Sequence, residues 1–330
     1  MNANGVSNAF THDAGIEVPL ICGPMYPTSN PELVAAVSDA GGLGIVQPIS
    51  LTYVYGHEFR EGLRYIKRLT HKPFGMNALI EKSSEKYHQR MVSWVNVALE
   101  EGVRFFITSM GKPEWVVELV HAVGGVVYHD ATERKWAEKA ISGGVDGLIA
   151  VNNRAGGHAG NLSKEQLFDA FADFNVPLIC AGGVGNEQDF VDAVNLGYAG
   201  VQLGTRFIAT EECQTNLPYK QAIVDSTEDD IVLTERLSGS PVSVINTPYI
   251  QSQGYKVGRL TRWMLRHARF KYIARTGLAL KSFWQLKTAV LDPQGKQQFW
   301  QAGKSVDRIH SIEKAGDIVH HFAAATINNK

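Results

Sequence analysis

Short apolar, β-branched runs alternate with amphipathic segments along the first two thirds of the chain. Apolar runs of about four to eight residues bounded by Gly or Pro predict buried strands, whereas apolar residues at helical spacing predict helices. The predicted strands lie within residues 18–22, 44–46, 73–79, 105–107, 125–128, 147–151, 176–180 and 199–203.

Amphipathic segments follow these strands and carry helix-start signals. Asn30 is a predicted N-cap with Pro31 in the first turn, and Ser163 and Gln166 form a predicted capping box. The predicted helices span residues 30–42, 58–69, 84–101, 113–123, 132–143, 163–173 and 186–196. Repeated βα units of this kind favour an α/β fold, a (β/α)8 TIM barrel, over a two-domain Rossmann protein.

Two glycine steps follow the last two predicted strands. Gly182 and Gly183 follow the seventh, and Gly204 and Thr205 follow the eighth. In barrels, backbone N–H groups of these two loops commonly bind a phosphate, although tight turns are the simpler alternative. No G-x-G-x-x-G motif follows the first strand, which disfavours a Rossmann dinucleotide site.

A glycine-rich loop after the sixth predicted strand presents one histidine, His158, within Ala155-Gly156-Gly157-His158-Ala159-Gly160. Small neighbours leave room for a ligand, and the imidazole pKa is ordinarily close to neutrality. The loop therefore predicts a proton-handling site, with a plain loop histidine as the alternative.

Polar and flexible residues end two further strands. Gly23-Pro24-Met25 follows the first strand and Asn77 lies in the third, where they offer close backbone approach and an amide to a flat ring such as isoalloxazine. Core filling by Met25 and a turn-satisfying amide at Asn77 are the alternatives.

Composition limits the classes of partner. The 330 residues are 44% hydrophobic and 20% charged, with a formal net charge of -1, so we expect a sizeable core and no nucleic-acid partner. No signal peptide or membrane-spanning run is apparent, which predicts a cytoplasmic protein. Cys22 and Cys180 end apolar runs and are expected to be buried packing residues. With Cys213 they make three cysteines without a C-x-x-C pair, so neither a disulfide framework nor a metal site is expected.

After Cys213 the βα rhythm ends. Basic and aromatic residues alternate between Lys256 and Arg275, which we interpret as an amphipathic helix packed on the barrel rather than a nucleic-acid surface. We predict a barrel of residues 1–213 and 296–330, closed by a helix at 312–325, and a helical lid subdomain of residues 214–295.

Five ordered motifs resemble those of the nitronate monooxygenase family, formerly the 2-nitropropane dioxygenases. The motifs are Gly23-Pro24-Met25, the 31–44 segment, Ala155-Gly156-Gly157-His158-Ala159-Gly160, Ala181-Gly182-Gly183-Val184 and the 202–210 segment. The resemblance implies an FMN-binding TIM barrel. The same family holds NAD(P)H:quinone reductases and flavin-dependent enoyl-ACP reductases, so fold and cofactor transfer more safely than substrate.

The resemblance also implies residue roles. His158 would be the catalytic histidine on the substrate side of the flavin. The implied FMN-binding residues are Gly182, Gly183, Gly204 and Thr205 at the phosphate with Gln202 nearby, Gly23, Pro24, Met25 and Asn77 along the isoalloxazine, and Gly157. The 299–306 segment resembles the family's late loop near the flavin, and Lys304 is a weaker candidate for contacting the phosphate or the substrate.

One residue departs from the family pattern. Arg154 stands where many relatives carry Glu, and it could either favour an anionic substrate or simply face solvent or cap a helix.

The implied activity is oxidation of alkyl nitronates by O2 to carbonyl compounds and nitrite, with neutral nitroalkanes as a second class of substrate that the same site could accept. An FMN-dependent reductase acting on a quinone or enoyl thioester is the alternative, and a non-catalytic flavin sensor ranks third. Expected partners are a small substrate and O2, with the protein a monomer or homodimer.

Overall fold

Eight parallel strands close into one barrel in the computed structural model, which describes residues 7–81 and 84–327. The strands are β1 Leu20–Cys22, β2 Leu43–Val46, β3 Gly75–Leu79, β4 Phe105–Ser109, β5 Val126–Ala131, β6 Gly147–Val151, β7 Leu178–Ala181 and β8 Gly200–Leu203. Closure comes from parallel pairing of β1 with β8, in which Leu20 lies opposite Val201. The predicted (β/α)8 fold is confirmed.

The helices that alternate with the strands begin within about two residues of their predicted starts, and two further helices, at residues 9–14 and 205–208, are not among the predicted elements. They are α1 Ala9–Ala14, α2 Pro31–Asp39, α3 Phe59–Leu69, α4 Glu85–Glu100, α5 Glu114–His121, α6 Arg134–Ser142, α7 Lys164–Phe171, α8 Glu187–Leu196 and the single turn α9 Thr205–Ile208. The Ser163 capping box is present in full. Asn30 occupies the N-cap of α2, but its side chain binds Glu32 and Glu212 instead of capping the helix.

Alternate side chains of the strands fill the barrel interior and close its amino-terminal end. Ile21, Ile107 and Ile149 belong to this inner core. Phe10 of α1 plugs the bottom, with its ring centroid 5.8 Å from that of Tyr128. Because this end is sealed, a ligand can reach the interior through the carboxyl-terminal rim.

The segment from 214 to 295 contains a sheet as well as the predicted helices. Its elements are α10 Leu217–Asp225, β9 Ile231–Thr234, β10 Val242–Ile245, α11 Pro248–Gln253, α12 Arg259–Arg266 and α13 Ala268–Leu291, followed after the late loop by α14 Ala315–Ile327. The antiparallel pair β9–β10 is absent from the predicted elements, although both of its strands are short β-branched runs. The division into a barrel and a lid subdomain stays a prediction.

Helix α13 is fastened to the rim of the barrel near the end of β1. The rings of Tyr26 and Phe283 stack at 5.2 Å, and the Tyr26 hydroxyl donates to the Phe283 carbonyl at 2.9 Å. Lys287 donates to the Tyr53 carbonyl at 2.6 Å. The basic stretch predicted as one helix is divided between α12 and α13 at His267.

The three cysteines are free and buried, as expected of packing residues. Within residues 7–81 and 84–327, no cluster of His, Cys, Asp and Glu could hold a metal ion. The described helices include none that is both long and apolar enough to cross a bilayer.

Replacement of Gly44 by Ala tests the contact between α2 and β2. A Cβ at Gly44 would lie 2.1 Å from the Val34 carbonyl oxygen, so helix and strand would have to separate. We expect Gly44→Ala to lower the free energy of unfolding by about 3 kcal/mol, measured by urea denaturation.

Gly277→Ala is the matched control, because a Cβ at Gly277 in α13 would meet no atom within 4 Å. We expect this substitution to be neutral or slightly stabilising, since Ala is the better helix former. Equal effects of the two substitutions would contradict the proposed close contact.

Candidate active site

A cavity of about 730 Å³ lies at the carboxyl ends of the strands. Its floor is formed where the strands end, by Gly23, Leu79, Ser109, Asp130, Val151, Ala181 and Gln202. Its outer wall includes Tyr219, Ser238, Leu286 and Val290 from the segment beyond the barrel and Phe299 from the late loop. This is the end at which (β/α)8 barrels carry their active sites.

Ten of the eleven predicted site residues line this cavity. They are His158, Gly23, Pro24, Met25, Gly157, Gly182, Gly183, Gln202, Gly204 and Thr205. Asn77 is not among the lining residues described. It is 5% exposed, and its side-chain nitrogen donates to the Ile107 carbonyl across β3 and β4 at 3.3 Å. Its role at a flavin stays a prediction.

Gly182 and Gly183 form a turn that other residues would not tolerate. Their φ angles are +113° and +77°. A Cβ at Gly182 would lie 2.4 Å from Asn152 Oδ1, and one at Gly183 would lie 2.8 Å from Arg154 Nε. The two glycines therefore bring bare backbone to the cavity wall, as a phosphate site requires.

The late loop joins the β8 end to the His158 loop. The Gly303 amide donates to Thr205 Oγ1 at 2.9 Å, and the Lys304 amide donates to the Arg154 carbonyl at 2.9 Å. A Cβ at Gly303 would lie 2.6 Å from the Arg154 carbonyl oxygen. The 299–306 segment thus contacts both the β8 end and the His158 loop, with Lys304 contributing its backbone, and its place near a flavin stays a prediction.

Gln202 is held close to Gly23 with part of its amide unsatisfied. A Cβ at Gly23 would approach the Gln202 side chain to 2.9 Å, so glycine makes room for this amide. Gln202 Oε1 is buried and has no hydrogen-bond partner among the described residues. An unpaired buried acceptor at a cavity floor is suited to an N–H group of a bound ring.

His158 lies against the loop that joins β9 to β10. Its Nε2 is 2.9 Å from Ser238 Oγ, and the Ser243 amide donates to the Gly157 carbonyl at 2.8 Å. The imidazole of His158 is open to the cavity on one side and surrounded by protein on the others. Desolvation by this protein lowers the pKa of His158 below its ordinary value. The ring is therefore neutral at pH 7 and able to accept a proton. Ser238 is absent from the predicted site residues because the β9–β10 pair, whose connecting loop carries it, is absent from the predicted elements.

Arg154 is half-buried beside the glycine turn. Its guanidinium lies 2.6 Å from Glu228, and it also donates to the Lys304 carbonyl at 3.4 Å. Its hydrogen bonds lower the pKa of the Glu228 carboxyl. Arg154, the residue that departs from the family pattern, thus joins the His158 loop to the segment beyond the barrel.

Asp130 is a cavity residue that the sequence motifs did not indicate. It lies near the end of β5, and burial raises the pKa of its carboxyl to about 7. Its Oδ1 is buried without a hydrogen-bond partner among the described residues. One sequence signal could have indicated Asp130. It is a polar residue just beyond the carboxyl end of a predicted strand, and a position near such an end also indicates Asn77.

The fold and this cavity place the chain among (β/α)8-barrel enzymes. A family model described as nitronate monooxygenase matches residues 7–324, so the chain belongs to the nitronate monooxygenase family of flavoprotein oxidoreductases.

Relatives of different activity resemble the chain to similar degrees. A (3aS,4S,5R,7aS)-5-hydroxy-7a-methyl-1-oxo-octahydro-1H-indene-4-carboxyl-CoA dehydrogenase of Rhodococcus jostii is 27% identical, covering 89% of this chain and 80% of that protein. A probable nitronate monooxygenase of Staphylococcus saprophyticus is 28% identical, covering 74% and 80%. FabK of Thermotoga maritima superposes with a TM-score of 0.81 at 26% identity, covering 98% and 97%.

The raised pKa of Asp130 predicts a pH-dependent effect on stability. The folded protein favours the protonated carboxyl of Asp130. Its contribution to the free energy of unfolding is therefore fully present below the pKa of the unfolded state and is lost progressively as pH rises from there to about 7. Asp130→Asn should therefore stabilise the protein at alkaline pH, by up to about 4 kcal/mol, and have little effect near pH 4. Thermal melting across this pH range measures the difference.

Asp173→Asn is the control of opposite sign. Arg134 lowers the pKa of this exposed carboxyl, so removing its charge should not stabilise the fold at any pH. A similar alkaline stabilisation in both variants would rule out burial of Asp130 as the cause.

Proposed function

We propose that this protein is an FMN-dependent nitronate monooxygenase, which oxidises alkyl nitronates with O2 to carbonyl compounds and nitrite. The observation that carries the proposal is the meeting of His158 and the glycine turn in one cavity, in a chain matched by the family model over residues 7–324. We also propose that it acts as a monomer or homodimer in the cytoplasm, without a nucleic-acid partner.

The residues present fit an FMN. Gly182, Gly183, Gly204 and Thr205 would hold the phosphate, because the two positive-φ glycines leave backbone accessible there. Gln202 would accept a hydrogen bond from the ring, since its buried Oε1 lacks a partner among the described residues. The bound flavin supplies electron transfer, and the protein supplies binding and orientation.

His158 would handle the substrate proton. A neutral imidazole can hydrogen-bond a nitronate oxygen or accept the α-proton of a neutral nitroalkane. Ser238 Oγ contacts Nε2 and limits how the ring can rotate. A nitronate has already lost the α-proton, so the base role of His158 matters for neutral nitroalkanes and not for nitronates.

A reductase is the second candidate function, and the similarity to the Rhodococcus jostii dehydrogenase favours it. The Rhodococcus protein is described as a dehydrogenase of a CoA ester, and FabK shares nearly the whole fold. In that reaction NAD(P)H would reduce FMN, and the electrons would pass to a quinone or an enoyl thioester.

Anaerobic mixing of the FMN-loaded protein separates the two candidates. If the protein is a nitronate monooxygenase, ethyl nitronate should bleach the flavin absorbance rapidly, and NAD(P)H should bleach it slowly or not at all. Stopped-flow absorbance measures both rates. Rapid bleaching by NAD(P)H alone would favour the reductase, and FMN that responds to neither would favour a flavin sensor.

Replacement of His158 tests the base role. In His158→Asn we expect kcat/KM for nitroethane to fall by about 10²-fold or more, because a positioned general base contributes this much. Turnover of ethyl nitronate should fall much less. Oxygen consumption measures both reactions.

His320→Asn serves as the control, since His320 is exposed on α14 and is not among the residues that line the cavity. It should retain both activities. Equal losses with nitroethane and ethyl nitronate in His158→Asn would refute the base assignment and leave a binding role.

A further inference from the structure

The side chain of Asp130 belongs to the column of β5 residues that faces the barrel interior. Tyr128, two residues earlier, lies in the inner core, and strand side chains alternate between the two faces. Asp130 is the next residue of this column and lines the cavity. Its carboxyl therefore forms part of the cavity floor, near the end of β5.

Among the described residues, none supplies a compensating charge to this carboxyl, since burial alone accounts for its raised pKa. Ser109 and Val151, which line the floor from the neighbouring strands β4 and β6, carry none. The titratable residues lining the cavity besides Asp130 are Tyr26, Glu81, Arg154, His158 and Tyr219. Arg154 is paired with Glu228, and His158 contacts Ser238.

Burial without a cation favours the neutral acid. Desolvation is the cause of the raised pKa of Asp130, and the group has no salt bridge among the described residues. A neutral carboxylic acid is a hydrogen-bond donor, whereas a carboxylate only accepts. A ligand oxygen reaching the floor would therefore meet a donor below about pH 7 and a repelling charge above it.

We propose that Asp130 is a substrate-binding residue that, as a neutral carboxylic acid, donates a hydrogen bond to an oxygen of a small planar oxyanion. This inference rests on the proposed function, because a nitronate is such an anion. Negative charge on the ligand would itself favour retention of the proton. Asp130 thus binds an anionic ligand while it is protonated and repels it once it is ionised.

Nitrite serves as an unreactive planar probe of this site. Isothermal titration calorimetry of the FMN-loaded protein should show nitrite affinity falling above pH 7, approaching tenfold per pH unit. Asp130→Asn should bind nitrite with an affinity that changes little with pH, because the amide N–H donates throughout. His158 does not explain such a decline, since its pKa is lowered below 6.5.

Asp13→Asn is the matched control. Asp13 is also a carboxyl of raised pKa, but it accepts a hydrogen bond from Tyr128 at the sealed end of the barrel. Its variant should reproduce the wild-type pH profile. A decline that persists in Asp130→Asn, or an absence of nitrite binding at every pH, would overturn the proposal.

Infrared spectroscopy tests the proton directly. Wild-type protein at pH 6 should show a carboxylic acid C=O band that disappears by pH 8.5 and is missing from Asp130→Asn. Absence of a band assignable to Asp130 at pH 6 would also overturn the proposal. Failure of nitronate turnover with both results intact would instead count against the proposed function alone.

Discussion

Pairing of β1 with β8 is the constraint on which the rest of the structure depends. Once these strands pair in parallel, all eight carboxyl ends must meet at one rim. Phe10 fills the opposite end of the barrel. Inward side chains near the rim therefore line the only open end of the described barrel, the cavity, whereas inward side chains nearer Phe10 pack in the core. Close packing such as that of Gly44 against Val34 keeps the helical layer near the barrel.

Much of this architecture can be predicted from local signals. The apolar runs give the strands because a parallel barrel buries both strand faces, and the Ser163 capping box marks a helix start correctly. Gly182 and Gly183 are recognisable because few other residues adopt their φ angles. Together with the family resemblance, which alone indicates Gln202 and Gly157, these signals predict the ten residues that line one cavity.

Register between strands cannot be read from local signals. Asn77 lies within a predicted strand and Asp130 follows the end of another by two residues, yet Asn77 pairs with Ile107 and Ile107 with Tyr128, deep in the barrel. Asp130 lies one step nearer the rim on the same inward column as Tyr128. Long-range contacts cannot be read from local signals either: Ser238, in the loop between β9 and β10, contacts His158 from 80 residues further along the chain.

The Gly303 contact has a consequence for the order of events during synthesis. Thr205 and Arg154, which it joins, leave the ribosome well before Gly303 does. The barrel strands can therefore assemble while this wall of the cavity is still missing. Enclosure of a ligand at the β8 end therefore depends on a loop that is synthesised 98 residues after Thr205.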